Sequence, residues 1–458
     1  MTRKIRRRKV LKGLGVAGVA GLAGCAQAGD DTPTEEDEAD GGGDGADGDG
    51  TDGDGTDGDG TDGDGTDGDG DGNGGGDASR TIRMGILMGV TGGLSELGPP
   101  IRQAAEVAAE YVDEESDTFS VEYDFEDTAT DPNTGISGAN ALVDADYPMI
   151  AGALSSTVTI QTANNSTVPN GVVQCSPAST SPAITDLEDN GYLWRTTPGD
   201  GLQAEVMTTV GRDRLDGETT ATLSLNNDYG QGLAEEYASA WEDAGGTVQN
   251  EVSFEPGQGS YTSQLSSALQ DEPDVLMIVG YPESGVQIFR DFYGDYSQDF
   301  CDIVVPDGLQ SGSLPGDVGN SMRNVWGTAP SSTGPGRDAF ESIYQDAYDS
   351  DPAGSPFTAQ SFDAAAVLLL ANAAAGENDG EAVRDQMANV ANDGGEEVTP
   401  DNLVEGLEMA AEGTEINYQG ASSDIQFNDN GDIGAATYQF YRYNEDGFEV
   451  IEDIEYSQ

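Results

Sequence analysis

The chain has 458 residues, 86 of them acidic and 18 basic, with no histidine and a formal net charge of −68 at pH 7. A field of that sign repels nucleic acid and anionic lipid headgroups, so nucleic-acid binding and peripheral attachment to a membrane surface are excluded. Seven of the basic residues (Arg3, Lys4, Arg6, Arg7, Arg8, Lys9, Lys12) lie within the first twelve positions, and the 11 beyond Cys25 are all arginine.

The N-terminus reads Arg7-Arg8-Lys9-Val10-Leu11-Lys12, then a small-residue apolar run over 13–24 that ends in Leu22-Ala23-Gly24-Cys25. This order resembles a twin-arginine export signal closed by a lipobox, although Arg6 stands where Ser or Thr normally precedes the arginine pair. Twelve apolar residues are too few to span a bilayer, which takes about 20. Residues 1–25 are therefore expected to be an address, with Cys25 the lipid-modified first residue of the exported protein.

Residues 26–79 are dominated by Asp, Gly and Thr, with a Thr-Asp-Gly-Asp-Gly repeat over 51–70. Such a composition buries no core and is expected to be a disordered tether, extended by charge repulsion and kept flexible by glycine. Its Asp-x-Asp spacing resembles the start of an EF-hand loop. That loop needs Gly at position 6 and Glu at position 12, whereas position 6 counted from Asp52 is Asp57 and the repeat contains no glutamate. No metal site is expected.

The body, 80–458, holds recurrent apolar runs and folds; at 379 residues it exceeds one core and suits two lobes. Strands are expected at 82–90, 119–126, 149–153, 172–175, 219–225, 247–254, 275–280 and 303–305, with helices at 104–115, after Pro99-Pro100, and at 133–144. Strands alternating with helices predict an α/β fold with parallel sheets covered on both faces. Ligands in such folds bind at the carboxyl ends of the strands.

The loops at those ends carry hydroxyls in Ser155-Ser156-Thr157 and Ser176-Pro177-Ala178-Ser179-Thr180-Ser181-Pro182. Later loops bring Asn227-Asp228-Tyr229-Gly230, Gly280-Tyr281-Pro282 and Pro306-Asp307-Gly308. Hydroxyls and free backbone N–H groups at helix starts hold a carboxylate without a countercharge. Helix capping accounts equally well for either hydroxyl loop taken alone.

Taken together, these motifs resemble the branched-chain amino-acid-binding (Leu/Ile/Val-binding) family of ABC-importer substrate-binding lipoproteins over nearly all of the body. The carriers are the strand and Thr-Gly of 84–98, then 127–132, 152–157, 176–182, Tyr229-Gly230-x-Gly232 and Asp429-x-Gly431-Asp432. The resemblance implies a type 1 periplasmic-binding fold, two Rossmann-like lobes joined by three hinge crossings near 196–198, 328–330 and 423–427. The lobes would be 80–197 plus 330–425 and 198–329 plus 426–458.

It further implies that Ser156, beside Ser155, holds the ligand carboxylate and that Thr180, beside Ser179, contacts both ends of the ligand. The Ala178 carbonyl and Asp307 would face the ammonium, and Tyr229 and Tyr281 would form walls. Leu97 and Ala359 stand where some relatives have aromatics, which implies a remodelled side-chain pocket. A disulfide of some relatives is missing, its positions falling near Thr130 and at Ser155. Cys175 and Cys301 are expected as buried free thiols, their pairing being left open by sequence.

The implied function is capture of a small amino acid at the extracellular face of the cell membrane, by a lipid-anchored monomer partnered with an ABC permease and ATPase. A ligand sensor of the same fold, or a binder of short amides or carboxylic acids, remains an alternative. Without histidine, and without lysine beyond Lys12, most hydrolase and Schiff-base chemistry is excluded, so no enzyme and no cofactor is expected. Paired-carboxylate catalysis is not excluded, but 66 acidic residues in the body make any one pair uninformative. The acidic, lysine-free surface also fits a halophilic source, since the Debye length falls to about 3 Å at 1 M salt.

Overall fold

The structure is a computed structural model that describes residues 80–457. The expected leader, Cys25 and the tether lie outside the described residues.

The first lobe is built on β1 (Arg80–Met88), β2 (Phe119–Asp127), β3 (Met149–Gly152), β4 (Val173–Ser176) and β5 (Leu193–Arg195), in the order β2-β1-β3-β4-β5. All the pairings are parallel. The connections are α1 (Gly98–Glu115), α2 (Pro132–Asp144) and α3 (Ser156–Thr162). Prolines in the first turn start α1 and α2, where the missing N–H costs nothing, and the Asp131 carboxylate caps α2 by accepting from the Thr134 N–H at 2.8 Å. A Cβ at Gly98 would lie 1.9 Å from the Gly89 carbonyl oxygen, so only glycine lets α1 begin that close to the end of β1.

After β5 the chain enters the second lobe through α4 (Asp200–Thr209). There β6 (Thr219–Leu225), α5 (Asp228–Asp243), β7 (Thr247–Phe254), α6 (Thr262–Ala268), β8 (Val275–Val279), α7 (Pro282–Asp295), β9 (Asp302–Val305), α8 (Leu314–Val318) and β10 (Val325–Pro330) alternate. The chain returns to the first lobe as α9 (Arg337–Tyr348) and α10 (Thr358–Ala375). It continues through α11 (Gly380–Arg384), α12 (Met387–Ala391), β11 (Glu396–Val398), α13 (Leu403–Ala411) and β12 (Ile416–Tyr418). A third crossing leads to β13 (Ala435–Asn444) and β14 (Gly447–Ser457). The second sheet runs β14-β13-β10-β9-β8-β6-β7, parallel except at β10–β13 and β13–β14. This is the two-lobed type 1 periplasmic-binding architecture expected from the sequence.

Helix α10 is buried from Thr358 to Ala373 and packs on α1, α13 and β3. A helix covered on every side has no solvent face to offer, its few polar side chains must find partners inside the fold, and its alanines let neighbours approach closely.

Two buried polar networks fix the third crossing. Asp363 accepts hydrogen bonds from the Tyr418 hydroxyl (2.8 Å), the Ala421 and Ser422 N–H groups (2.7 Å each) and the Ser422 hydroxyl (2.5 Å). Arg195, only 2% exposed, donates to Asp432 at 2.5 Å, to the Ser179 and Ser181 carbonyls and to the Thr185 hydroxyl. Cys175 and Cys301 are buried free thiols, one in each lobe, and burial pushes both above the ordinary thiol range.

Candidate functional site

The site grows from strand ends. Ser155 precedes α3 and Ser156 opens it, after β3; Ala178, Ser179 and Thr180 follow β4; Tyr229 sits in the first turn of α5, after β6; Tyr281 precedes α7, after β8; Asp307 follows β9. Parallel strands place all these loops at the facing edges of the two sheets. Between them lies a cavity with about 350 Å³ of empty volume, counting its open mouth.

Six of the residues singled out from sequence line this cavity: Leu97, Ser156, Ala178, Tyr229, Tyr281 and Asp307. Leu94, Ile101, Leu154, Gly308 and Phe357 complete the lining. Ser155 stands behind the wall, receiving the Tyr281 hydroxyl at 3.3 Å. The Ser179 hydroxyl is engaged elsewhere, with Thr159 at 2.7 Å and the Leu154 carbonyl at 3.1 Å. Thr180 is buried, and its hydroxyl has no partner among the described residues.

Tyr229 and Tyr281 stack with ring centroids 5.6 Å apart and planes 5° from parallel, giving a flat wall on the second lobe. Gly308 passes under that wall: a Cβ there would lie 2.6 Å from the Gly280 carbonyl oxygen and 2.8 Å from the Tyr229 hydroxyl. The opposite wall is apolar and includes Phe357, held at φ 63° in the left-handed region. The remodelling expected from Ala359 needs a correction, because Ala359 is buried in α10 away from the lining while Phe357 brings an aromatic ring to the cavity. Phe357 is the residue immediately before α10, two positions ahead of Ala359.

Asp307 is 3% exposed. Its Oδ2 lies 3.5 Å from the Tyr229 hydroxyl, and its Oδ1 has no partner among the described residues. Burial pushes its carboxyl up to about 6, against the opposing pull of nearby hydrogen-bond donors. The arrangement offers hydroxyls and a helix start on one side, a carboxylate on the other and apolar walls between. It can hold a small molecule by its two polar ends. The facing lobes touch at the rim, where the Asp228 N–H donates to the Thr157 hydroxyl at 3.0 Å and the Ser313 hydroxyl to Glu96 at 2.8 Å. Sequence reasoning missed Asp200 and Gln203 of α4, both buried close to Asp307.

Comparison with known proteins agrees with this architecture. Leu/Ile/Val-binding protein homolog 3 of Brucella melitensis is 26% identical over 216 residues, 46% of this chain and 58% of that relative's length. The chemotactic signal transduction system substrate-binding protein BasB of Halobacterium salinarum is 24% identical over 359 residues, 76% of this chain and 84% of the relative. The crystal structure of the branched-chain amino-acid transporter substrate-binding protein LivJ from Streptococcus pneumoniae, in complex with isoleucine, superposes with a TM-score of 0.67. It is 18% identical and covers 83% of this chain and all of the other. These relatives are substrate-binding proteins and not enzymes. Among the described residues no helix is long and apolar enough to cross a membrane. Residues 81–446 match the periplasmic binding protein family, and with that match spanning most of the chain the protein belongs to it.

Proposed function

We propose that this chain is the extracytoplasmic substrate-binding lipoprotein of an ABC importer and that it captures a small amino acid, branched-chain or related, between its lobes. One observation carries the reading: Asp307, buried with an unpartnered carboxylate oxygen, faces a wall made by Ser156 and Ala178 across an apolar space. A zwitterion with an apolar side chain supplies what each surface lacks. Ser156 and Thr180 hold its carboxylate, Asp307 and the Ala178 carbonyl hold its ammonium, and Tyr229, Tyr281, Leu97 and Phe357 enclose the side chain.

The lobes, 80–197 plus 330–425 and 198–329 plus 426–458, close about their three crossings, and the closed form engages the permease. The names of the Brucella and Streptococcus relatives support the ligand class. A second reading, delivery of the bound ligand to a chemotaxis transducer, is favoured by the coverage of the Halobacterium relative. That relative also supports a halophilic source. Adjacent genes for a permease and ATPases, or for a transducer, separate the two readings.

A thermal-shift screen in molar salt tests the ligand class. An amino acid at 100 times its dissociation constant adds about 2.7 kcal/mol of stability, and leucine, isoleucine or valine is expected to raise the melting temperature. If only short amides or aromatic acids do so, the amino-acid reading fails. The anchor is tested by mass spectrometry of the membrane fraction, which should find a lipid on Cys25 and no leader. A Cys25→Ser protein still processed and retained at the membrane would refute it.

A further inference from the structure

We propose that the groove formed by the three crossings is a second ligand site, one that takes a short alkyl diammonium ion and thereby holds the lobes closed. The site goes beyond the amino-acid reading and stands apart from it; only the coupling involves the ligand of the cleft.

The groove has about 1130 Å³ of empty volume, counting its open mouth, and shares no lining residue with the cleft. Each crossing contributes to it: Thr196 and Pro198 from the first, Pro330 and Ser331 from the second, Ser423 and Asp424 from the third. Backbone contacts stitch these segments together. Pro198 bridges Ile433, the Ser331 N–H donates to the Thr437 carbonyl at 2.7 Å, and the Thr333 N–H donates to the Ser422 carbonyl at 3.0 Å. The β13–β14 hairpin of the second lobe supplies another wall, through Ala435 and Glu455. An occupant therefore touches both lobes where their angle is set.

The chemistry of the lining selects a cation. Gln360 of α10 lines the groove and is 2% exposed, yet its Oε1 has no hydrogen-bond partner among the described residues. A buried amide oxygen left bare is unfavourable, and an entering donor relieves it. Ser422, also in the lining, gives its N–H and its hydroxyl to Asp363. All the donors to Asp363 are neutral, so this buried carboxylate is satisfied in hydrogen bonds but not in charge. The carboxylates of Asp424 and Glu455 are exposed at the mouth, and no arginine is among the described lining residues.

Acceptors and negative charge thus lie at two levels, a buried one and an exposed one, with apolar surface from Pro198, Pro330, Ile433 and Ala435 beside them. A short methylene chain with an ammonium at each end meets that pattern, since each ammonium brings N–H donors and a positive charge. One end donates to Gln360 Oε1 in the field of Asp363, the other stands at Asp424 and Glu455, and the methylenes cover the prolines. Acidic side chains are abundant on this chain, so the two at the mouth alone would carry no weight; the bare Gln360 oxygen decides. The lobes meet at the rim in this structure, and the groove has the shape that accompanies a closed cleft. A ligand fitted to that shape favours closure, and by linkage it raises the affinity of the cleft for its own ligand.

Calorimetric titration of 1,4-diaminobutane into the parent, in molar potassium chloride, tests the site, with Asp307→Ala as a control for uptake by the cleft. One saturable site is expected in both proteins, weakened about fivefold or more in Asp424→Asn/Glu455→Gln. No saturable binding in the parent, its loss in Asp307→Ala, or undiminished binding in the double variant overturns the proposal. Both substituted carboxylates are exposed, so the double variant should melt like the parent. Should it fail to fold, the uncharged 1,4-butanediol decides: it should bind the parent about fivefold or more weakly than the diamine, and equal binding overturns the proposal. The coupling is read from leucine, whose affinity for the parent should rise about fivefold or more with saturating diamine and stay unchanged in the double variant. An unchanged parental affinity overturns the coupling. A parent that binds no amino acid defeats the amino-acid reading instead, and the diamine isotherm still decides the groove.

Discussion

Asp363 and Asp307 are both buried, and burial lifts both carboxyls to about 6, yet the fold finishes the two sites differently. Asp363 receives four hydrogen bonds of 2.5–2.8 Å from Tyr418, Ala421 and Ser422. Asp307 has one long contact with a phenol and one bare oxygen, and Asp200 beside it has two bare oxygens. The same residue type, equally buried, is a structural fastener in the first lobe and an open valence at the cleft. Satisfaction of the oxygens, and not burial or charge, separates the two roles.

The contrast breaks most visibly at the fastener. Asp363→Ala strands the buried N–H groups of Ala421 and Ser422, each worth about 1–3 kcal/mol, and the unliganded protein should lose about 3–5 kcal/mol. Calorimetric melting in molar salt measures this, and an unchanged melting temperature would erase the distinction.

Asp307→Ala should behave in the opposite manner. Removing one partner of a buried charged pair costs about 2–5 kcal/mol of binding, roughly thirtyfold to several-thousandfold in affinity. The unliganded variant should melt close to the parent. Amino-acid binding at parental strength would place the ligand cation elsewhere.

The smallest effect lies in pH. The Asp307 carboxyl rises from an ordinary 3.8 to about 6 on folding, so between those values the folded protein binds more protons than the unfolded chain. From this group alone, stability is greatest below about pH 4 and is lost as pH rises through about 6, by on the order of 1–3 kcal/mol. The parent should therefore gain more stability than Asp307→Asn when the unliganded proteins are moved from pH 7.5 to pH 5. Equal gains would mean that Asp307 is not titrating as its burial requires.

Much of the fold was legible in the sequence, because buried parallel strands are short apolar runs bounded by turn residues. Each strand expected from 82–90 to 303–305 appears within a few residues of its expected place. The β13–β14 hairpin went unrecognised, although Ala435–Asn444 partly alternates between buried and half-exposed positions. A bulge between Phe440 and Tyr441 breaks that alternation, and an antiparallel edge has no helix to announce it. In the site, Ser156, Tyr229, Tyr281 and Asp307 could be named because they follow strand ends in motifs that resemble the family's. Asp200 could not: it lies in Pro198-Gly199-Asp200-Gly201, which reads as an ordinary turn, among 66 acidic residues of the body. Only burial distinguishes it from a solvated surface carboxylate. Phe357 lies two positions before Ala359, at the start of α10, and its ring supplies the aromatic that the match at Ala359 lacked.

The bond between Arg195 and Asp432 has a meaning that depends on the solvent. In brine, mobile ions shorten electrostatic reach to a few ångströms, and an exposed pair such as Arg214 and Glu452 adds little under such conditions. Arg195 and Asp432 touch at 2.5 Å where ions do not enter. The link between the end of β5 and the last crossing is thus insulated from the medium. Lowering the salt would swell the acidic exterior by self-repulsion while this buried link kept its geometry, so that the joint would be among the last parts of the molecule to respond to ionic strength.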